Sequence, residues 1–248
     1  MPQFLKKSFR FLLLFLLLTA CTKEEIDPNE KPLGSSSRDF LTADRYQSMT
    51  LEIVYVEGFA PQQAAVEEVK NFLNTYLNKP GGINLVMNSI PAPDVGTYSS
   101  QEIADIETQY RTVFSRGEDL GVYIFFADDH SAKDAVGPSG HIEKRSLGTA
   151  YRNTSIVIFE KTVMEMSRNL TLAEHTTLRH EFGHLFGLVD NGTPAITSHV
   201  FKDPDEPSEK GHCSVENCLM SATLDLTSSS PMTLGEKCHQ DLLANGGK

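Results

Sequence analysis

From Met49 to Val56 the chain alternates, with Leu51, Ile53 and Tyr55 set against Glu52 and Val54, which is the period of a strand. After Pro61 the period changes. Ala65, Val66, Val69, Phe72, Leu73, Tyr76 and Leu77 recur at helical spacing and make one apolar face. Pro61 suits a first helical turn, and Pro80-Gly81-Gly82 stops the helix. Ile83 to Ile90 is a second strand, ended by Pro91 and Pro93. Ser99 or Ser100 caps another helix, with Glu102 placed for a capping box with Ser99. Its expected buried stripe is Ile103, Ile106, Tyr110, Val113 and Phe114. Gly121 to Ala127 is wholly apolar, as in a central strand covered on both faces. Polar residues 128–146 read as a loop, and Leu147–Tyr151 and Ser155–Phe159 as two more strands. A helix then starts near Thr171, with Glu174 completing a Thr-x-x-Glu box, and runs to Leu188. A last helix starts near Thr233, with Glu236 in the box position and Cys238, Leu242 and Leu243 towards the core. Strands interleaved with helices predict an α/β (α+β) fold with a twisted, mainly parallel sheet, and no internal repeat interrupts it.

The N-terminus follows different rules. Lys6, Lys7 and Arg10 precede eight unbroken apolar residues, Phe11 to Leu18. That run is too short to span a bilayer but fits the core of a signal peptide. It ends in Leu18-Thr19-Ala20-Cys21, which resembles a bacterial lipobox; residues 1–20 would be cleaved and Cys21 lipidated. The following Lys23-Glu24-Glu25 resembles a surface-export signal of Bacteroidota lipoproteins. Residues 21–45 are polar, with Pro28, Pro32, Gly34 and Ser35-Ser36-Ser37, and read as a flexible tether. The catalytic domain is then 46–248, with an N-terminal subdomain 46–188 and a small C-terminal subdomain 189–248.

Composition narrows the function. The 40% apolar and 22% charged residues are ordinary for a globular protein. The net charge of −11 becomes −14 once the three cations of the leader are removed, and it argues against a nucleic-acid partner. The chemistry sits at His180-Glu181-Phe182-Gly183-His184-Leu185-Phe186-Gly187. Histidines at i and i+4 share one helix face and can hold one zinc ion, and Glu181 beside the first can act as general base towards water that the metal acidifies. Gly183 is unexpected in a helix interior and points to a local need that outweighs propensity. Gly187 extends the pattern to His-Glu-x-x-His-x-x-Gly, so the chain resembles metzincin metalloendopeptidases. That resemblance implies a metzincin-like sheet and active-site helix.

Two alignments compete for the third zinc ligand. Asp190 lies three residues after Gly187, where metzincins place it. Alternatively, His212-Cys213-x4-Cys218-x-Met220-x17-Cys238 resembles archaemetzincins, with an insertion between Gly187 and His212 and with Asp241 at the final cysteine position. The longer spacing match is the more specific, so His212 is preferred over Asp190, with His199 a third candidate. On the same resemblance Met220 is the Met-turn residue beneath the metal. Cys213, Cys218 and Cys238 with Asp241, or with His239 as the other candidate, could hold a second, structural zinc. A Cys213–Cys218 disulfide with Cys238 free is the alternative, since an exported protein meets oxidising conditions.

Leu147 to Tyr151 resembles the edge strand above the metal in metzincins, so Gly148 and Ala150 would pair with an extended peptide. Tyr151 is a weaker candidate for oxyanion contact. The expected protein is therefore a zinc metalloendopeptidase. It would act on peptide or protein substrates as a monomer, held as a lipoprotein in the cell envelope at the outer membrane, facing the periplasm or the cell surface. It is also similar to Bacteroidota lipoproteins described as membrane metalloproteases. The rival is a surface lipoprotein that keeps zinc as a fold element and binds without cleaving.

Overall fold

The computed structural model describes residues 29–136, 142–202 and 211–248. Its frame is a five-stranded sheet built from β1 (Ser48–Val56), β2 (Ile83–Ile90), β3 (Asp119–Ala127), β6 (Gly148–Arg152) and β7 (Ser155–Phe159), in the order β2-β1-β3-β7-β6. Four strands run parallel, and β6 turns back antiparallel to β7 at the edge. The loop expected over 128–146 contains a small separate hairpin, β4 (Ala135–Val136) with β5 (Ile142–Lys144).

The period-2 pattern sorts side chains to two faces. On one face Leu51, Ile53, Val122, Ile124, Phe126, Ile156 and Ile158 pack against α1 (Ser37–Leu41), α2 (Gln63–Tyr76) and α5 (Leu170–Leu185). On the other, Val56, Tyr123, Phe125, Val157 and Phe159 pack against α3 (Ser100–Tyr110). Both faces of β1 are thus covered. Glu52, expected on a polar face, is fully buried instead, and its carboxylate accepts from the Thr112 and Val113 N–H groups and the Thr112 hydroxyl. The Ser99–Glu102 capping box forms as expected. The helix stops at Tyr110, however, so Val113 and Phe114 leave its stripe and Phe114 is 49% exposed. A short helix the pattern did not signal, α4 (Glu160–Met166), follows β7 directly.

The segment expected as a tether is, from residue 29 on, part of the domain. Phe40 and Leu41 of α1 are fully buried, and the Phe40 ring lies 5.8 Å from that of Phe186. The Lys79 ammonium donates to the carbonyls of Asp39, Thr42 and Tyr46, pinning this segment to the turn after α2. The composition of 29–45 is polar, but Phe40 and Leu41, with Leu33 packed partly against the same core, anchor it beside α5. The leader, Cys21 and Lys23-Glu24-Glu25 lie outside the described residues. No helix among the described residues is long and apolar enough to cross a membrane.

α5 is buried almost all round from Ala173 to Leu185. Its cap is Asn169, whose side chain accepts from the Leu172 N–H, rather than Thr171. The Glu174 carboxylate does not close a box. It accepts from the Gln62 N–H at 2.8 Å and faces the buried Glu160. The helix ends in a Schellman turn: Gly187 N–H bonds to His184 O, Leu188 N–H bonds to Gly183 O, and Gly187 has φ +77°. The final helix, α6 (Glu236–Ala244), starts after Gly235 without a side-chain cap, so Thr233 plays no capping part and Leu243 is 47% exposed.

Candidate metal centre

The last two turns of α5 place His180 and His184 one above the other, with their Nε2 atoms 3.0 Å apart. The loop beyond the insertion brings in His212, whose ring stacks on His180 at 5.5 Å and lies 5.3 Å from that of His184. A ligand nitrogen of each ring falls within 4.8 Å of those of the other two. Two nitrogens each about 2.05 Å from one tetrahedral zinc would lie about 3.3 Å apart, close to the separation seen. His180 Nδ1 is 2.7 Å from the Leu219 carbonyl, which can only accept, so this nitrogen carries the proton and Nε2 offers its lone pair to the centre. His184 Nδ1 lies 2.6 Å from the Asn191 side-chain amide. With that amide turned to present its oxygen, His184 has the same tautomer as His180. Burial holds His180 down to about 4 and His184 well below the usual histidine range, in each case helped by the neighbouring imidazoles, so neither ring is charged at neutral pH. Three imidazoles converging on one point, two of them uncharged and the third stacked on His180, fit a cation.

Glu181 points from the same helix to β6, where its Oε2 accepts from the Ala150 N–H at 2.8 Å. Burial pushes its carboxyl up to about 8, a shift the Ala150 bond opposes. Gly148 permits this approach: a Cβ there would sit 3.1 Å from Glu181 Cγ and 3.0 Å from the Val157 oxygen. The odd glycine within α5 has a similar cause. A Cβ on Gly183 would fall 2.2 Å from Met220 Sδ, so the absent side chain is the space that Met220 fills beneath the histidines.

Asp190 is not brought to this centre. It is exposed, with φ +64°, and its carboxylate accepts from the Ala195 N–H. The turn around it matters for Asn191, a residue that the motif spacing does not single out. That turn is braced by the N-terminal segment, since a Cβ on Gly34 would coincide with the Asn191 carbonyl.

The three cysteines form a second cluster behind the first. All are buried, and no disulfide links them. Cys218 and Cys238 have their sulfurs 3.6 Å apart, far beyond a covalent bond of about 2.05 Å. The histidine that joins them is His199, not His239. His199 Nε2 lies 3.5 Å from Cys238 Sγ, and His199, Cys213 and Cys238 present ligand atoms within 4.8 Å of one another. Asp241 is buried beside them, its Oδ2 3.3 Å from the same His199 Nε2 and its other oxygen accepting from the Ile196 N–H. His239 turns away, its ring 5.6 Å from that of Tyr76. The signal for His199 was slight, a lone histidine in a polar insertion. The pairing that places it, Ser214 N–H to His199 O beside the Val200–Cys213 bridge, is made across a loop that no regular element spans.

The chain matches no protein-family model and no curated protein. Among solved structures it is similar to archaemetzincin from Methanopyrus kandleri, with 18% identity, covering 80% of this chain and 96% of that one at a TM-score of 0.52. It also aligns with metalloproteinase-II from Bacteroides fragilis at 12% identity, over 89% of this chain and 58% of that one, with a TM-score of only 0.41. The chain has a metzincin-like fold, with the mixed sheet and helix order described above.

Proposed function

We propose that this protein is a zinc-dependent endopeptidase that hydrolyses peptide bonds. The observation that carries this reading is the convergence of His180, His184 and His212 beside a buried Glu181 whose carboxylate already touches an edge strand. Zinc held by the three imidazoles would supply Lewis acidity, polarising a carbonyl and acidifying water. Glu181 takes the proton of the attacking water and returns it to the leaving amine; its raised carboxyl pKa suits both roles near neutral pH. Gly148 and the Ala150 carbonyl would align an extended peptide over the centre, the Ala150 N–H being held by Glu181. Met220 packs against Gly183 and supports the ligand helix from below.

A second, structural zinc on Cys213, Cys218, Cys238 and His199 completes the reading. Its donors fit: three buried thiols and an imidazole, with Cys218 pushed down to about 5, chiefly through its hydrogen-bonding contact with Cys238. The lipobox supports anchoring through Cys21 in the cell envelope, and acylation there is checked by mass spectrometry of the membrane-extracted protein.

The decisive test is digestion of a peptide library by wild type, by Glu181→Ala and by chelated protein. Cleavage only by zinc-loaded wild type is expected. A wild type that retains zinc and cleaves nothing would overturn the reading and leave a zinc-containing binding lipoprotein. For the third ligand, His212→Ala should lower zinc content and abolish cleavage, and Asp190→Ala should do neither.

A further inference from the structure

Among the described residues no strand pairs with the outer edge of β6. Leu147 O accepts from Phe159 N–H and Thr149 is in register with Val157, so the main-chain groups of 147 and 149 face β7. Those of Gly148 and Ala150 therefore face outward. On the α5 face the Ala150 methyl is buried in the core with Phe182. Thr149 and Tyr151 project to the opposite face, towards α3. There the strand borders a cavity of about 420 Å3 whose wall includes Ile103, Val157 and Phe159, with Ser100 and Lys133 at its mouth. Ala150 thus belongs to two places at once. Its N–H holds Glu181, and its backbone lines the cavity.

We propose that this cavity is a substrate subsite that selects a large apolar side chain, aromatic or long aliphatic. The inference rests on the endopeptidase reading for its consequence, but not for its geometry. A peptide added to the outer edge of β6 must alternate its side chains between the two faces of the sheet. Those on the side of Thr149 and Tyr151 meet the cavity, and those on the other side meet the zinc centre. A strand advances about 3.3 Å per residue, so the selected residue lies within about three residues of the cleaved bond. The wall is aliphatic and aromatic, so an apolar side chain gains by leaving water there. Two cations at the cavity, Lys133 and Arg152, disfavour a basic side chain; Arg152 is already paired with Glu107 at 2.9 Å.

The test separates selection from catalysis. Zinc-loaded full-length Glu181→Gln is used to capture peptides from a randomised library, and the bound peptides are sequenced. In parallel, wild type is used to cleave the same library. Ala104→Trp, which fills the cavity from α3, and Ser100→Trp, at the exposed mouth, are carried through both arms. Aromatic and long aliphatic residues should be enriched at one position in both arms. Each tryptophan variant should lower capture and kcat/KM for those peptides at least tenfold, leaving peptides with glycine there unchanged. Captured peptides without that enrichment, or enrichment that neither folded tryptophan variant alters, overturn the subsite. If capture is selective and wild type cleaves nothing, the subsite stands and the endopeptidase reading falls.

Discussion

Gly183→Ala should destabilise the protein, against the rule for its position. In an ordinary helix interior the change gains about 1 kcal/mol, because alanine loses less backbone freedom than glycine. Here the added Cβ would lie 2.2 Å from Met220 Sδ and 2.8 Å from its Cε, distances that non-bonded carbon and sulfur do not tolerate. Met220 is fully buried and follows Leu219, whose carbonyl orients His180. Relief therefore requires a fully buried side chain, next in the chain to the residue that orients His180, to move. Overpacking of this kind costs about 1–3 kcal/mol. Set against the helical gain, we expect a net loss of about 1 kcal/mol, or a melting temperature lower by about 2–4 °C. Thermal and urea denaturation of the metal-free protein measures it, and zinc titration should show weaker binding at the histidine centre. Met220→Ala alone should cost about 2–5 kcal/mol through its cavity. In the double variant the new methyl enters that cavity, so the combined cost should fall below the sum of the two. A Gly183→Ala protein as stable as wild type, with unchanged zinc affinity, would refute the claim that this glycine exists to seat Met220.

Glu160 is buried against Glu174, and burial first, then the Glu174 charge, pushes it up to about 10. The folded protein then holds a proton that the unfolded chain releases near the ordinary value of 4.5, so stability is greatest below that value and falls as pH rises towards 10. Glu160→Gln should flatten the decline, and a midpoint that falls with pH in parallel with wild type would reject the shared-proton account. Metal analysis by mass spectrometry should give two zinc ions per wild-type chain, falling to one in Cys238→Ser and in His199→Ala, with Asp241→Ala keeping both; loss of a zinc from Asp241→Ala but not from His199→Ala would reverse the assignment. Phe40→Ala should cost about 3–5 kcal/mol in chemical denaturation, as for a core aromatic, whereas a residue in a loose tether would cost nothing.

What the sequence determined alone was local. A period-2 pattern marked β1, a period-3.6 pattern marked α2 and an unbroken apolar run marked β3, because residues a few positions apart in a regular element share its faces. The Ser99–Glu102 box and the Gly187 turn were legible for the same reason: three or four residues contain the whole interaction. So was the His180–Glu181–His184 set, since helix geometry alone stacks i and i+4. The tertiary structure decided everything that depends on where a loop goes. Thr171 and Glu174 obey the local capping rule, yet the carboxylate is claimed by Gln62 and Glu160, which only packing brings near. Asp190 and His212 both had defensible spacings, and the path of the chain after Gly187 turned one outward and the other onto His180. His199, whose spacing singled it out only as a third candidate for the first centre, is carried by the same loop to the cysteines. The polar stretch before residue 46 looked like a tether because composition averages over residues, whereas single side chains, Phe40 and Leu41, anchor it beside α5. Spacing encodes contacts only while the backbone between two residues is regular; across an irregular loop the partner is chosen by packing and by the need to satisfy buried polar groups.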